Sequence, residues 1–194
     1  MAHYFTNENL ESNITKFNIK LEDKTFTFNT DNGVFSKGEL DFGSYLLIKN
    51  VLKLKLTGDI LDLGCGYGPI GIILAKLLPV TVTMVDVNKR AVHLVNMNIK
   101  ENKVNNANVL VSDGYENLKD EKFDYIISNP PIRVGKEKLY ELLITSKEHL
   151  KENGEMYIVI RKNQGAKSLI RDLSVYYSVN IIDKDKGFFI ISLK

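Results

Sequence analysis

The amino-acid sequence predicts a doubly wound α/β domain, and three observations support that prediction. From residue 58 onwards, apolar runs of strand length alternate with segments of helix length, which is typical of a parallel sheet with crossover helices. A glycine-rich loop directly follows the first of these strands. The length of 194 residues, with 44% hydrophobic residues and a net charge of +2, fits one globular domain.

The amino-terminal part is predicted to be an extension of that domain. Apolar positions alternate along residues 16–28 on either side of a short polar turn, which predicts an antiparallel β-hairpin. An irregular segment follows over residues 34–43, and apolar positions at near-helical spacing predict a helix over about residues 44–54. We therefore expect an extension over residues 1–57 packed on a core over residues 58–194, within one structural domain.

The core is predicted to contain seven strands. The last two are joined by a stretch too short for a helix, which predicts an antiparallel hairpin at the sheet edge. The predicted strands are residues 60–63, 80–85, 109–111, 123–128, 156–160, 175–182 and 187–193. The predicted crossover helices are residues 69–78, 89–102, 136–151 and 166–173.

Composition argues against several functional classes. Cys65 is the single cysteine, which rules out an internal disulfide and a cysteine-rich zinc site, and three scattered histidines predict no metal site. The most apolar stretch contains four glycines and two prolines, so it is a poor membrane span. The amino terminus carries acidic residues and no apolar run, unlike a signal peptide. We expect a cytoplasmic protein.

The densest motif is a glycine-rich loop between the first core strand and a helix. It reads Asp62-Leu63-Gly64-Cys65-Gly66-Tyr67-Gly68, and Pro69 then opens the helix. Glycines let such a loop turn tightly and admit a ligand against free main-chain N–H groups. Two cofactors fit this spacing, because Gly71 completes a dinucleotide fingerprint and Asp86 follows Gly66 by twenty residues.

Aspartates at three strand ends favour S-adenosylmethionine over a dinucleotide. Asp62 stands at the mouth of the loop, where an anion would repel a pyrophosphate but could pair with a cationic amino group. S-adenosylmethionine has such a group and no phosphate. Asp86 suits ribose hydroxyls in either cofactor, and Asp113 suits an adenine amino group. Taken singly, each aspartate also fits a turn or a helix cap.

A proline-containing turn after the fourth core strand predicts the chemistry. It reads Ser128-Asn129-Pro130-Pro131-Ile132, and its two prolines remove backbone donors while leaving carbonyl acceptors. The side-chain oxygen of Asn129 is a further acceptor. An amine that donates to Asn129 and to the Pro130 carbonyl would direct its lone pair at a methyl group, which is catalysis by positioning.

These three motifs together resemble class I S-adenosylmethionine-dependent methyltransferases. Phe35-Ser36 and Leu40-Asp41-x-Gly43-Ser44 before the loop, with Asp86-Val87-Asn88-x-Arg90-Ala91 after it, are similar to the RsmC-type small-subunit ribosomal RNA guanine methyltransferases. The resemblance covers about residues 15–194 and is to the short, single-domain form. It implies a Rossmann-like methyltransferase sheet and methyl transfer to the exocyclic amine of a guanine in small-subunit rRNA.

The resemblance also implies a set of site residues. The segment over residues 35–44 is expected to close over the methionine part of the cofactor, and Asn129, Pro130 and Pro131 are expected to line the target pocket. Ile132 stands where the family usually has an aromatic residue, so stacking on the target base would have to weaken or come from Phe35 or Tyr67. The residues expected at the cofactor are Phe35, Ser36, Asp41, Gly43, Ser44, Asp62, Gly64, Cys65, Gly66, Gly68, Asp86, Val87, Asp113, Gly114 and Asn129.

Two groups of basic residues are candidates for contacts with rRNA phosphates. Both follow strands at the edge of the sheet that holds the glycine loop, although charged runs are also common on solvated surfaces. They are Arg133, Lys136 and Lys138 after the proline turn, and Arg161, Lys162 and Lys167 after the fifth strand. The expected partner is rRNA or the small ribosomal subunit, with no membrane and no metal.

Three other functions stay open at this point. Amine methylation motifs of this kind also occur in protein glutamine methyltransferases. A non-catalytic RNA-binding module could retain the same fold, although Asp62, Asp86 and Asn129 are all present. A nicotinamide oxidoreductase is supported by the glycine fingerprint alone.

Overall fold

An antiparallel β-hairpin begins the part of the chain that the computed structural model describes, which is residues 10–194 without the side chain of Arg133. Strands β1 (Thr15–Leu21) and β2 (Lys24–Thr30) pair over their full length. Phe26 and Phe28 are buried on one face of β2, while the threonines between and before them face outward. The predicted amino-terminal hairpin is therefore confirmed.

Helix α1 (Phe42–Lys53) follows the irregular segment and begins two residues before the predicted start. Asp41 is its N-cap, and its carboxylate accepts hydrogen bonds from the backbone N–H groups of Gly43 and Ser44. On the apolar face of the helix, the side chains of Leu47, Ile48 and Val51 are completely buried. The cap fixes where α1 starts and holds Asp41 and Ser44 at its first turn.

The main sheet has seven strands, as predicted. Its strands are β3 (Gly58–Leu63), β4 (Val80–Asp86), β5 (Ala107–Val111), β6 (Phe123–Ser128), β7 (Leu150–Arg161), β8 (Val179–Asp185) and β9 (Phe188–Leu193). Their order across the sheet is β5-β4-β3-β6-β7-β9-β8. Strands β3 to β7 are parallel to one another, and β9 runs antiparallel between β7 and β8, which confirms the carboxyl-terminal hairpin.

Helices cover both faces of this sheet. The crossover helices are α2 (Pro69–Leu77), α3 (Lys89–Glu101), α4 (Lys136–Thr145) and α5 (Ala166–Leu173). One buried cluster joins α1, α2, α3 and the hairpin to the sheet, and a second joins α4 and α5 to the opposite face. Ile60 and Leu61, adjacent on β3 and both fully buried, belong to different clusters, as the alternation of a strand requires.

The prediction for the segment between the fourth and fifth core strands is wrong at its boundary. Helix α4 ends at Thr145 rather than at residue 151, and a short 3₁₀ turn leads into β7, which begins at Leu150 rather than at residue 156. The register with β6 shifts between the Phe123–Leu150 pair and the Tyr125–Glu155 pair, so this start of β7 is irregular. Lys151 anchors it through ion pairs with Asp59 and Asp124.

The start of β8 also differs from the prediction. It begins at Val179 rather than at residue 175, because the residues before it form a turn that closes α5. Tyr177 is buried in that turn and its hydroxyl donates to the carbonyl of Leu143. Within residues 10–194, no helix is long and apolar enough to cross a membrane.

Candidate active site

A cavity of about 600 Å³ lies at the carboxyl edge of the main sheet, beside the central strands β3 and β6. In sheets of this kind the strand order reverses there, and ligands bind in the crevice that results. The predicted site residues in its wall are Phe35, Asp41, Ser44, Gly64, Cys65, Gly66, Asp86, Val87, Asp113, Gly114, Asn129, Pro130, Pro131, Ile132, Lys138 and Arg161. Segments that are far apart in the sequence therefore meet at one cavity.

The glycine-rich loop forms one side of this cavity. Gly66 has φ +57°, and a Cβ built on it would meet no atom within 4 Å, so the loop leaves open space on that side. The backbone N–H of Gly66 donates to Asp86 Oδ2 at 2.8 Å. Gly68 is predicted to contact the cofactor but is absent from the wall. It caps the start of α2, where a Cβ built on it would meet the side chains of Val95 and Ile72.

Asp86 ends β4 and is held rigidly in the cavity wall. Its Oδ1 accepts from the N–H of Asn88 at 2.8 Å while its Oδ2 accepts from Gly66. Burial raises the pKa of Asp86, although both hydrogen bonds oppose that effect. Each carboxylate oxygen keeps acceptor capacity for a ligand hydroxyl, because a carboxylate has about four acceptor sites.

Asp62 lies behind the glycine loop rather than in the cavity wall. Its side chain is fully buried, and Oδ2 accepts from the N–H of Gly71 at 2.8 Å. Oδ1 has no hydrogen-bond partner among the described residues. Burial raises the pKa of Asp62 to about 7, and the charge of Asp86 adds to that rise. This geometry does not support the predicted contact between Asp62 and a ligand amino group.

Two further residues predicted at the cofactor are not in the wall. Gly43 is buried against the ring of Phe188, and a Cβ built on it would approach Phe188 Cε1 to 2.9 Å. Ser36, with φ +57°, is also absent from the lining residues. Cys65 does line the cavity, but burial raises the pKa of its thiol well above the usual value, so it is a neutral wall residue.

The structure adds wall residues that the sequence analysis did not predict, notably Gln164 and Phe188, and it places Phe42 of the predicted covering segment in the wall as well. Phe188 is the first residue of β9 and pairs with Arg161 at the end of β7. Its ring lies 4.5 Å from the Arg161 guanidinium carbon and 5.5 Å from the ring of Phe42. The signal that could have identified Phe188 is its pairing with Arg161 between β7 and β9. That pairing joins distant segments, so it is not visible as a local sequence pattern.

Asn129 is held in one orientation by the first turn of α1. Its Nδ2 donates to Ser44 Oγ at 3.0 Å and lies 3.3 and 3.4 Å from the two carboxylate oxygens of Asp41. No described residue donates a hydrogen bond to Asn129 Oδ1. The preceding Ser128 donates to the carbonyl of Leu63 at 2.7 Å, which ties the proline turn to the glycine loop.

The two alternative stacking residues differ in accessibility. Tyr67 also lines the cavity, but it is only 2% exposed, its hydroxyl donates to the carbonyl of Glu39 and its ring packs edge-on against Phe28. Phe35 lines the cavity and is 54% exposed. Ile132 also lines the cavity and is half-buried. Phe35 is therefore the more accessible of the two alternative stacking residues.

The basic residues fall into two groups according to their partners. Lys138 lies 3.6 Å from Asp113 and 3.4 Å from Glu141, and Lys136 lies 3.6 Å from Asp172. Arg161, Lys162 and Lys167 are exposed and form no ion pair with any described residue. Arg133 lies in a 3₁₀ turn after the prolines, and its side chain is outside the described part.

The wall fits S-adenosylmethionine better than a dinucleotide. Asp86 suits ribose hydroxyls in either cofactor, whereas the carboxylates of Asp41 and Asp113 suit a cationic amino group and disfavour a pyrophosphate. The volume is in the range of small-molecule sites. Across residues 10–194, no cluster of three or more His, Cys, Asp or Glu side chains could hold a metal ion.

Comparison with known proteins supports this interpretation. Residues 25–192 match the model of the methyltransferase small domain family. The uncharacterized protein YbxB of Bacillus subtilis is 44% identical over 196 residues, covering 99% of this chain and 98% of that protein. The ribosomal RNA small subunit methyltransferase C of Mannheimia succiniciproducens is 44% identical over 132 residues, covering 66% of this chain and 39% of that protein.

A solved structure shows the same fold. The T. thermophilus 16S rRNA N2 G1207 methyltransferase (RsmC), in complex with AdoMet and guanosine, superposes with a TM-score of 0.83 at 23% identity. The match covers 93% of this chain and 50% of that one, so the chain spans about half the length of that protein. The chain therefore belongs to the methyltransferase small domain family, and S-adenosylmethionine is its cofactor.

Proposed function

We propose that the protein transfers a methyl group to the exocyclic N2 amine of a guanine in small-subunit rRNA. The observation that carries this proposal is that Asn129, the two following prolines and Asp86 share one cavity wall. A target amine at the proline turn and a cofactor at the glycine loop would then lie close together. The relatives named ribosomal RNA small subunit methyltransferase C support rRNA as the substrate class.

The chain's own residues act by positioning the amine. When bound, S-adenosylmethionine supplies an electrophilic methyl group on a sulfonium sulfur. Asn129 Oδ1 and the Pro130 carbonyl accept the two N–H groups of the target amine, which directs the nitrogen lone pair toward the cofactor. Methyl transfer would form the new N–C bond at the expense of the cofactor's C–S bond, and the nitrogen would lose one proton. That proton goes to water, since an amide oxygen and a backbone carbonyl are not bases at neutral pH.

Recognition of the base is assigned to the exposed side chains around the opening. The exposed side chain of Phe35 suits stacking on a base, in place of the aromatic residue that Ile132 replaces. Arg161, Lys162 and Lys167 suit phosphate contacts because no described carboxylate neutralises them. With the ribosome as partner, the protein would act in the cytoplasm.

The proposal is tested by transfer of radiolabelled methyl groups from S-adenosylmethionine to small ribosomal subunits that lack the modification, followed by nucleoside analysis. The expected product is N2-methylguanosine. Asn129→Ala should bind the cofactor as the unaltered protein does and lose most turnover, because it removes one of the two amine acceptors.

Other outcomes contradict the proposal in distinct ways. Label in ribosomal protein rather than in RNA would select a glutamine methyltransferase. Cofactor binding without transfer to any substrate would indicate a non-catalytic RNA-binding module. Turnover by Asn129→Ala at the rate of the unaltered protein would remove the amide from the mechanism.

A further inference from the structure

The amide of Asn129 lies against a carboxylate that comes from a distant part of the chain. Asp41 caps α1 through Oδ1, which accepts from the N–H groups of Gly43 at 3.0 Å and Ser44 at 3.2 Å. The same carboxylate receives Asn129 Nδ2 at 3.3 and 3.4 Å, across 88 positions of sequence. The cap therefore fixes the position of a carboxylate beside the amide that the proposed reaction uses.

This contact distinguishes the two ends of the amide. The oxygen and nitrogen ends of an asparagine side chain have nearly the same shape, and rotation about the last side-chain bond exchanges them. A carboxylate can only accept, so Asp41 fits the Nδ2 end and opposes the oxygen end. The hydroxyl of Ser44 can donate or accept, so it fits either end. Asp41 is thus the neighbour that selects the orientation.

We infer that Asp41 is a positioning residue that keeps Asn129 Oδ1 turned toward the target amine. The inference rests on the proposed function and goes beyond it, since it gives Asp41 a part in the transfer step as well as at the cofactor. If the amide reversed, Nδ2 would face the amine, and two donors would meet where a donor and an acceptor are needed. According to this inference, the first turn of α1 sets which end of the Asn129 amide faces the target amine.

The first test is Asp41→Asn in the full chain, with methyl transfer to small ribosomal subunits as the assay. Asparagine caps helices about as well as aspartate, so α1 is kept, but position 41 no longer excludes the reversed amide. We expect kcat to fall about 10- to 100-fold, as for loss of a transition-state hydrogen bond. The dissociation constant for S-adenosylmethionine is measured separately and kcat is compared at saturating cofactor, because loss of the Asp41 carboxylate from the wall should also weaken cofactor binding.

An exchange of the two side chains provides the rescue. Asn129→Asp alone places a second carboxylate opposite Asp41, and we expect a loss at least as large as that of Asp41→Asn. In the double variant Asp41→Asn/Asn129→Asp, a carboxylate at position 129 presents oxygen to the cavity in either rotamer, and an amide at position 41 can donate to it. We expect its kcat to exceed that of Asn129→Asp by about tenfold or more.

A matched control comes from a second aspartate–asparagine pair, in which Asn50 lies on α1 and Asp183 lies on β8. Asp183 Oδ2 accepts from Asn50 Nδ2 at 2.8 Å, and neither residue lines the cavity. Asp183→Asn makes the same chemical change outside the cavity wall and should leave kcat and cofactor affinity unchanged. Unfolding temperatures of all variants are measured alongside, so that loss of fold is separated from loss of positioning.

The outcomes distinguish this inference from the proposed function. Absence of transfer by the unaltered protein overturns both. If the unaltered protein transfers methyl groups, an Asp41→Asn variant with undiminished kcat overturns the inference alone. Weakened cofactor binding at unchanged kcat also overturns it and assigns Asp41 to the methionine part of the cofactor. A double variant no more active than Asn129→Asp would show that Asp41 does not act through the orientation at position 129.

Discussion

Asp62 is the side chain whose environment differs most from what its position in the motif predicts. Its carboxyl group is fully buried behind the glycine loop, with one oxygen bonded to Gly71 N–H and the other without a described partner. A strand-end position in the sequence indicates that a residue lies near the site. It does not indicate whether the side chain enters the cavity, because that depends on how the loop packs on α2.

The raised pKa of Asp62 makes stability depend on pH. Burial moves this pKa from the usual 3.8 to about 7, so the folded state binds the proton more tightly than the unfolded state. The resulting stabilisation is fully present below pH 3.8 and is lost as pH rises through about 7. Linkage gives a loss of about 2–3 kcal/mol in the free energy of unfolding between pH 5 and pH 8.

Asp62→Asn should remove this contribution, because the amide does not titrate and its oxygen still accepts from Gly71. Urea unfolding at pH 5 and pH 8 checks this. The free energy of unfolding should differ less between the two pH values in Asp62→Asn than in the unaltered protein. Burial raises the pKa of Asp86 in the same direction, so part of the dependence remains in the variant. Asp120→Asn, at an exposed position, is the control. An equal pH difference in Asp62→Asn and the unaltered protein would contradict this account.

At the scale of elements, the hairpin is attached to the core by a buried asparagine on α3. Asn98 Oδ1 accepts from the backbone N–H of Asn29 at 2.7 Å. Its Nδ2 donates to the carbonyls of Asn29 at 3.1 Å and Tyr67 at 2.9 Å. One side chain thus satisfies backbone groups of both β2 and the glycine loop. This contact also fixes the hairpin close to the cofactor cavity.

Asn98→Ala should destabilise the protein strongly, because it leaves three buried backbone groups without partners. Each such group costs about 1–3 kcal/mol, so we expect a loss of about 3 kcal/mol or more in the free energy of unfolding. Asn96→Ala, on the exposed face of the same helix, should cost under about 1 kcal/mol. Urea denaturation of both variants measures this, and equal losses would show that Asn98 does not anchor the hairpin.

The elements themselves were largely predictable, and the exceptions have local causes. Alternating and helical periodicity identified the hairpin, the seven core strands and the crossover helices. Periodicity failed from Ser146 to Glu155, where a 3₁₀ turn and an irregular strand start replace the predicted helical end. That segment is held by Lys151 against two aspartates from other strands, a tertiary contact that no sequence pattern contains.

At the scale of the whole molecule, the cavity wall draws on segments that are far apart in the described chain. Its residues run from Val34, before α1, to Phe188, at the start of β9. The motifs predicted the glycine loop and the proline turn as parts of one site, since both follow parallel strands at the same edge. Phe188 escaped prediction because it reaches the cavity only through the packing of α1 on the carboxyl-terminal strands, where its ring contacts Phe42.

A ligand that contacts so many segments must stabilise the fold as a unit. At a free concentration of about 100 times its dissociation constant, S-adenosylmethionine should add about 2.7 kcal/mol to the free energy of unfolding. For a chain of this size that corresponds to a rise in Tm of roughly 5–11 °C. Thermal unfolding with and without the cofactor measures the shift. A nicotinamide dinucleotide should produce no comparable shift, because the carboxylates of Asp41 and Asp113 in the wall repel its pyrophosphate. A larger shift with the dinucleotide would contradict the electrostatic argument for the cofactor.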